Sequence, residues 1–385
     1  MPTALHLPVP MRALLAGARR HQPGLVDLTR QLVLAESPSD AKSAVDACGA
    51  LTAAYARSIG GRVKSHRQRA VGDVLEIRFG PQSRTVKPVL LLGHLDTVWP
   101  LGIIQSMPWR VRDGRLWGPG ALDMKTGVAM VFTAIELLSE AGLLNCEIVF
   151  LLNSDEEIGS PCSRPITERL ARRSAAVYVL EPAQGLAYKT ARKGIARWRI
   201  EVKGIGAHAG VDFEKGANAL RELAHAIQTV SGWTDLERGL TVSVGVAAGG
   251  TKINIVPSEA WAEVDVRFAR RTDGPRIARK FAALKVTDPR CSLIVTGGVN
   301  RPPMERSRGT VALYRKARAL ATELGLALDE ASTGGGSDGN FTAALGVPTL
   351  DGMGAVGEGA HARQESVFVE HLAPRTALLA AMLAT

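Results

Sequence analysis

The chain is 385 residues long, and its 46% hydrophobic and 22% charged residues exclude a disordered or fibrous protein. Its 47 basic and 37 acidic side chains leave a formal charge of +10, but only 5% of residues are aromatic and no helix-turn-helix or zinc-finger signature is present, so a solvated basic surface is expected and not a nucleic-acid site. Cys48, Cys146, Cys162 and Cys291 lie far apart without a Cys-x-x-Cys pair, which argues against a disulfide framework and a thiolate zinc site. No apolar run of about 18 residues occurs, and prolines at positions 2, 8 and 10 interrupt the stretch where a secretory signal needs a continuous apolar core. A cytoplasmic protein with no membrane partner is expected.

In chain order, residues 89–93, 147–152 and 177–180 are short continuous apolar runs, the pattern of strands buried on both faces of a parallel sheet. Residues 127–141 read as a helix between the first two runs, long enough for the crossover that parallel strands need. From residue 194 the pattern becomes strictly alternating. Trp198, Ile200 and Val202 fall on one face and Arg197, Arg199, Glu201 and Lys203 on the other, a half-exposed strand. A helix over 216–230 follows with Leu220, Leu223, Ala224 and Ile227 as its apolar stripe, then strands over 241–247 and 260–268, a helix over 275–283 and a strand over 292–296. This β-α-β-β-α-β order is that of a ferredoxin-like unit.

After Arg301, Pro302 and Pro303, helical patterning resumes over 311–324, followed by a glycine-rich turn at 334–336, an apolar run at 347–350 and a final helix from about residue 370. The expected fold class is α/β: a mixed, largely parallel sheet flanked by helices, formed by residues 1–193 and 303–385 and interrupted by an inserted α+β domain over 194–302.

His94 and Asp96 stand two apart at the carboxyl end of the first apolar run, a spacing at which an acid can orient a metal-binding imidazole. Asp123 lies in a glycine-rich turn just before a helix, where an Asp alone would be read as an N-cap. Asp155, Glu156 and Glu157 follow the second run, and Glu181 follows the third. Ligands sit at such carboxyl ends in open α/β sheets.

Clustered carboxylates repel one another and are costly to desolvate, a cost that a bound cation removes. Imidazole and carboxylate donors without thiolate suit zinc, cobalt or manganese at a hydrolytic site, and the acids suffice for two ions sharing one bridging carboxylate. His361 lies in a glycine-rich loop. His208 follows the first strand of the inserted domain, where a histidine can donate to a developing oxyanion. Gly204, Gly206 and Gly210 are spaced G-x-G-x-x-x-G and not the G-x-G-x-x-G of a dinucleotide loop, so a Rossmann reading fails.

Together these stretches resemble the co-catalytic dizinc exopeptidase and amidohydrolase family that includes folate-cleaving glutamate carboxypeptidase, aminoacylase, acetylornithine deacetylase and succinyl-diaminopimelate desuccinylase. The resemblance runs from about residue 25 to the C-terminus and is strongest to glutamate carboxypeptidase. It implies two zinc ions per subunit, with cobalt or manganese as substitutes. His94, Asp123 and Glu181 would hold one ion and Asp123, Glu157 and His361 the other, with Asp123 bridging. Asp96 would orient His94, and Glu156 would be the general base toward a metal-bridged water. A cis peptide after Asp123 is also implied.

The resemblance further implies that the inserted domain is a lid and dimerisation domain, with a homodimer in which His208 stabilises the oxyanion. Arg267 and Asn254 match positions that hold a substrate's terminal carboxylate, Lys189 one that favours an acidic side chain, and Gly335 and Gly336 a substrate-contacting glycine turn. Thr126 departs from the family, since many members have glycine there. Glu181, in place of Asp, fits the carboxypeptidase and deacylase branches.

The implied activity is hydrolysis of the amide bond to a C-terminal amino acid in a small N-acyl or peptidyl substrate. The alternative is an N-acyl-amino-acid deacylase of the acetylornithine deacetylase or desuccinylase type. A non-catalytic binding protein is disfavoured because ligands, base and oxyanion histidine are all present.

Overall fold

The computed structural model describes residues 11–384, so the prolines at positions 2, 8 and 10 lie outside the described residues. The chain divides into two compact units. The first comprises the chain up to Ala191, Arg306–Ser332 and the chain from Ser337; the second comprises Arg192–Glu305 and Thr333–Gly336.

The first unit opens with α1 (Met11–Leu34), α2 (Lys42–Ser58), β1 (Arg62–His66), β2 (Val74–Phe79) and β3 (Val89–His94). A hairpin of β4 (Arg110–Arg112) and β5 (Arg115–Trp117) leads to α3 (Thr126–Glu140), β6 (Ile148–Asn153), α4 (Arg164–Ala171), β7 (Ala176–Val179) and β8 (Tyr188–Arg192). The second unit follows with β9 (Gly194–Lys203), β10 (Ala207–His208), α5 (Ala219–Ser231), β11 (Thr241–Gly249), β12 (Ile255–Val256), β13 (Glu259–Phe268), α6 (Asp273–Ala282) and β14 (Ser292–Arg301). The chain ends with α7 (Arg308–Glu323), β15 (Glu330–Thr333), α8 (Gly339–Ala344), β16 (Thr349–Leu350), β17 (Gly357–Glu358), β18 (Ser366–Phe368) and α9 (Leu372–Ala384).

The main sheet has six strands in the order β1-β2-β6-β3-β7-β16. β6, β3, β7 and β16 run parallel, and β2 and β1 join antiparallel at one edge. Alternate residues of the apolar runs feed two cores. Leu91, Phe150 and Tyr178 pack into one with α1, α3 and α9, whereas Leu90, Leu92, Val149, Leu151, Val177 and Val179 pack into the other with Leu170 and Ala171 of α4. Burial on both faces is why these strands carry no polar alternation.

α3 packs against α1 and α9, so it is apolar nearly all round. At its first turn a Cβ on Gly127 would lie 2.4 Å from the Leu180 carbonyl oxygen. The helix start thus rests directly on the end of β7, and Thr126 beside it is buried with its hydroxyl lacking a hydrogen-bond partner among the described residues.

The second unit is a four-stranded antiparallel sheet, β11-β13-β9-β14, with the β-α-β-β-α-β order read from the sequence. Trp198, Ile200 and Val202 face its core with Leu223, Ile277 and Phe281, and the Trp198 and Phe281 rings stack with centroids 4.1 Å apart. The apolar stripe of α5 differs from the expected one. Ala219, Leu223, Ala226 and Val230 are buried with Glu222, while Leu220 and Ala224 turn outward. Glu222 can be buried because its carboxylate accepts the Thr287 backbone N–H and hydroxyl, each at 2.6 Å.

All four cysteines are unpaired. Among the described residues no helix is long and apolar enough to cross a membrane.

Candidate metal centre

Because β6, β3 and β7 are parallel neighbours, their carboxyl ends lie on one side of the sheet. β3 ends on His94, β6 runs out into Glu156 and Glu157, and β7 stops shortly before Glu181. Asp123 arrives from the turn that precedes α3, and His361 from the loop between β17 and β18.

His94 is buried, and its Nε2 lies 3.3 Å from Asp123 Oδ1 and 3.6 Å from Glu181 Oε1. His361 is half exposed, with Nε2 3.2 Å from Asp123 Oδ2 and 3.1 Å from Glu157 Oε1. Each oxygen of Asp123 therefore faces a different imidazole. Donor atoms of His94, Asp123 and Glu157 lie within 4.8 Å of one another, as do those of His94, Glu156 and Glu181. The structure thus brings together every residue that the motifs assigned to the metals, and the proposed base with them.

His94 Nδ1 is 2.9 Å from the backbone carbonyl oxygen of Asp96. A carbonyl can only accept, so Nδ1 carries a proton in this contact; in the protonated ring Nε2–H donates to Asp123, and in the neutral ring Nε2 is the nitrogen that could bind an ion. The Asp96 carboxylate stands farther off, 3.5 Å from Nδ1, because β3 ends at His94 and the chain turns. It accepts instead from Ser39 Oγ at 2.7 Å and from the backbone N–H groups of Glu156 and Glu157 at 3.2 and 3.1 Å. Asp96 therefore fixes the loop that presents both glutamates.

Asp123 lies outside helical geometry at φ −113°, ψ 91°, and the peptide bond after it is cis. Glu365 has no role in the motif reading, yet its buried carboxylate accepts N–H bonds from Gly120, Leu122 and Asp123 at 2.9, 2.8 and 3.0 Å. It also accepts the Trp99 indole N–H at 3.0 Å. The sequence shows only a glutamate four residues after His361, which gives no signal for these distant partners.

The electrostatics are those of a cation site. Burial opposes charge on His94, but Asp123 and Asp96 more than offset it and hold the imidazole well above its usual pKa. Hydrogen bonds to Asp123 and Glu157 raise His361 to about 10. Burial works against an ionised Asp123, but His361 and His94 overcome it and keep the carboxyl far below the usual range. Burial lifts Glu157 above its ordinary value despite its bond with His361. In the metal-free protein, protons on two imidazoles thus offset part of the charge of the acids, and divalent cations held by the same donors would supply positive charge instead.

Lys189 is buried on β8 in the first unit, and its backbone exchanges N–H···O bonds of 2.7 and 3.1 Å with Asp351. The other expected substrate residues lie in the second unit. His208 accepts the Gly210 and Val211 N–H groups on Nδ1 at 3.2 Å each, which leaves its Nε2 as the N–H end of the neutral ring. Asn254 is exposed beside it, its carbonyl accepting the Ala209 N–H at 3.0 Å.

The guanidinium of Arg267 grips Asp265 with bonds of 2.7 and 3.0 Å and reaches the Gly334 carbonyl at 3.4 Å. The carbonyls of Gly335 and Gly336 each accept from Arg192 at 3.2 Å. A Cβ on Gly336 would lie 2.6 Å from Ile195 Cδ1 and 2.9 Å from Arg301 Cδ, so any larger residue there must displace those side chains.

Residues 90–385 match the model of Peptidase family M20/M25/M40. Carboxypeptidase G2 of Pseudomonas sp. (strain RS-16) is 30% identical over 380 residues, spanning 96% of this chain and 91% of that protein. Succinyl-diaminopimelate desuccinylase of Stenotrophomonas maltophilia (strain K279a) is 29% identical over 374 residues, spanning 90% of this chain and 95% of that protein. The crystal structure of aminopeptidase PepT from Bacillus cereus ATCC 10987 shares the fold with a TM-score of 0.80 at 24% identity, over 94% of this chain and 98% of that one. The chain belongs to peptidase family M20/M25/M40, a metal-dependent family of hydrolases that act on peptide and amide bonds.

Proposed function

We propose that the protein is a dizinc amidohydrolase that releases a C-terminal amino acid, glutamate foremost, from a small N-acyl or peptidyl substrate in the cytoplasm. The supporting observation is Asp123, whose two oxygens lie 3.3 Å from His94 and 3.2 Å from His361, the disposition required of a ligand shared by two ions. The donors are imidazoles and carboxylates without thiolate, which fits zinc and also cobalt or manganese. His94, Asp123 and Glu181 would hold one ion, and Asp123, Glu157 and His361 the other. When bound, the ions supply Lewis acidity that polarises an amide carbonyl and acidifies water.

Glu156 stands beside His94 and Glu181, and its backbone is anchored on Asp96. As general base it takes the proton of the attacking water and delivers it to the leaving amine. His208 donates its Nε2–H to the carbonyl oxygen as negative charge develops there. Arg267, Asn254, Gly335 and Gly336 bind the substrate, and Lys189 favours an acidic side chain.

The 30% identity to carboxypeptidase G2 supports release of a terminal amino acid, and the 29% identity to a desuccinylase supports the second reading, an N-acyl-amino-acid deacylase. A panel of peptidyl and N-acyl amino acids, folate included, separates the two. Glutamate release from varied acyl partners supports the first reading. Hydrolysis confined to acetyl or succinyl substrates replaces it with the second, and no hydrolysis by metal-loaded protein rejects both.

The inserted unit is proposed as the lid and as the interface of a homodimer. Exposed Phe213, Leu220, Ile253 and Ile255 line one cavity of about 510 Å³ in it, an apolar surface of the kind that subunits cover. Ile253→Asp is expected to convert a dimer to monomer in sedimentation velocity; a monomeric parent protein would reject the interface.

The raised imidazoles predict the pH dependence of metal uptake. At pH 7 the metal-free His361, at about 10, is protonated, as is His94, so binding must release protons and affinity must rise with pH. Calorimetry in buffers of different ionisation enthalpy is expected to show net proton release. The same shift stabilises the metal-free fold fully below the unfolded imidazole value of about 6.5. That contribution disappears as pH rises through about 10.

A further inference from the structure

We propose that Glu365 is a positioning residue that holds the Asp123 turn in place for both metal sites at once, an inference that rests on the metal-site reading above. Residues 120–123 approach α3 without regular helical geometry, and Asp123 and Met124 have non-helical backbone angles. Backbone N–H groups in such a buried turn need acceptors that the helix does not provide. Glu365 provides them. Its Oε1 accepts from Leu122 and Asp123, and its Oε2 accepts from Gly120 and from Trp99 Nε1. Two donors on each oxygen match the acceptor capacity of a carboxylate, and the side chain is only 1% exposed. Its charge is met by aligned N–H dipoles, which make stronger bonds to an anion than to a neutral acceptor.

Position in the chain gives this cluster its reach. Trp99 lies five residues after His94, Asp123 is itself a bonded partner, and Glu365 lies four residues after His361. One carboxylate therefore ties together three loops that carry proposed ligands. On the far side of the turn, a Cβ on Gly120 would lie 2.6 Å from Thr97, so the backbone packs directly against the segment after His94. Glu365 is not itself placed to bind an ion. It acts through the backbone of Asp123, and Asp123 faces both histidines.

Glu365→Gln isolates this role, because the amide keeps the shape but has one acceptor oxygen and turns an NH₂ toward two N–H donors. Metal-stripped protein would be titrated with zinc against a chromophoric chelator, and with cobalt while its visible absorption is recorded. The variant is expected to lose affinity at both sites together by about 10- to 100-fold, the range for residues that orient ligands. Its cobalt spectrum should change shape, and at saturating metal kcat should fall while KM holds. Trp99→Phe removes one donor and leaves the other bonds, so a smaller loss in the same direction is expected. It also carries the test if Glu365→Gln does not fold, as judged by thermal unfolding in chelator.

Parental affinity and spectrum in a folded Glu365→Gln protein would overturn the inference, as would loss at one site only. If it does not fold, unchanged metal binding by Trp99→Phe does the same. Those results leave the metal-site reading standing. Failure of the parent protein to bind metal removes that reading and the inference with it.

Discussion

Glu156→Ala is expected to retain bound metal while kcat falls by about 10²- to 10⁴-fold, the range for loss of a general base. The expectation follows from how two adjacent glutamates are divided. The N–H groups of Glu156 and Glu157 are both fastened to Asp96, so neither backbone is free to swing. From this base the Glu157 carboxylate reaches His361 at 3.1 Å, whereas the Glu156 carboxylate groups with His94 and Glu181. Glu157 thus joins His361, one of the two imidazoles facing Asp123, and proton transfer is proposed for Glu156. Metal content by atomic emission and steady-state kinetics on the same preparation decide the matter. Loss of metal would make Glu156 a ligand, and near-parental turnover would remove it from the reaction.

Asp123→Ala is expected to do what no other ligand substitution does, which is to weaken both sites together. Its oxygens face His94 and His361 separately, so no remaining side chain replaces it at either place. The affinity loss should exceed the roughly 100-fold upper range for residues that only orient ligands, with activity falling below detection. His361→Ala is the matching control and should spare the site at His94. Histidine titrations followed by NMR in the metal-free protein add a second readout. Both imidazoles are raised partly by Asp123, so both should fall toward the ordinary value in the variant. Retention of two tightly bound ions by Asp123→Ala would contradict the bridging assignment.

The parts of the molecule legible in the sequence share a physical cause. β3, β6 and β7 are buried on both faces, so each appears as an unbroken apolar run, and the polar residues that follow mark the carboxyl end of the sheet. Those positions include His94, Glu156, Glu157 and Glu181. His361 carries no such mark in its loop, and only the resemblance pointed to it. The strict alternation of β9 predicted which face Trp198 would bury, because a one-sided sheet enforces a period of two.

What escaped the sequence depends on partners far along the chain. The Glu365 bonds join groups 242 to 266 residues apart, and nothing near Glu365 distinguishes it from a surface glutamate. The buried face of α5 differs from the expected stripe in taking in Glu222, whose carboxylate is satisfied by Thr287, a partner 65 residues away that helix periodicity does not show. The polar edge strand β1 has neither a continuous apolar run nor clean alternation, since one of its sides is unpaired.

The central claim is that hydrolysis depends on two ions sharing Asp123. Stepwise addition of zinc to the metal-free protein, with bound metal and amino-acid release measured at each step, tests it most directly. Activity is expected to rise with metal and to reach its maximum only at two equivalents per chain. Full activity at one equivalent, or without metal, would contradict it.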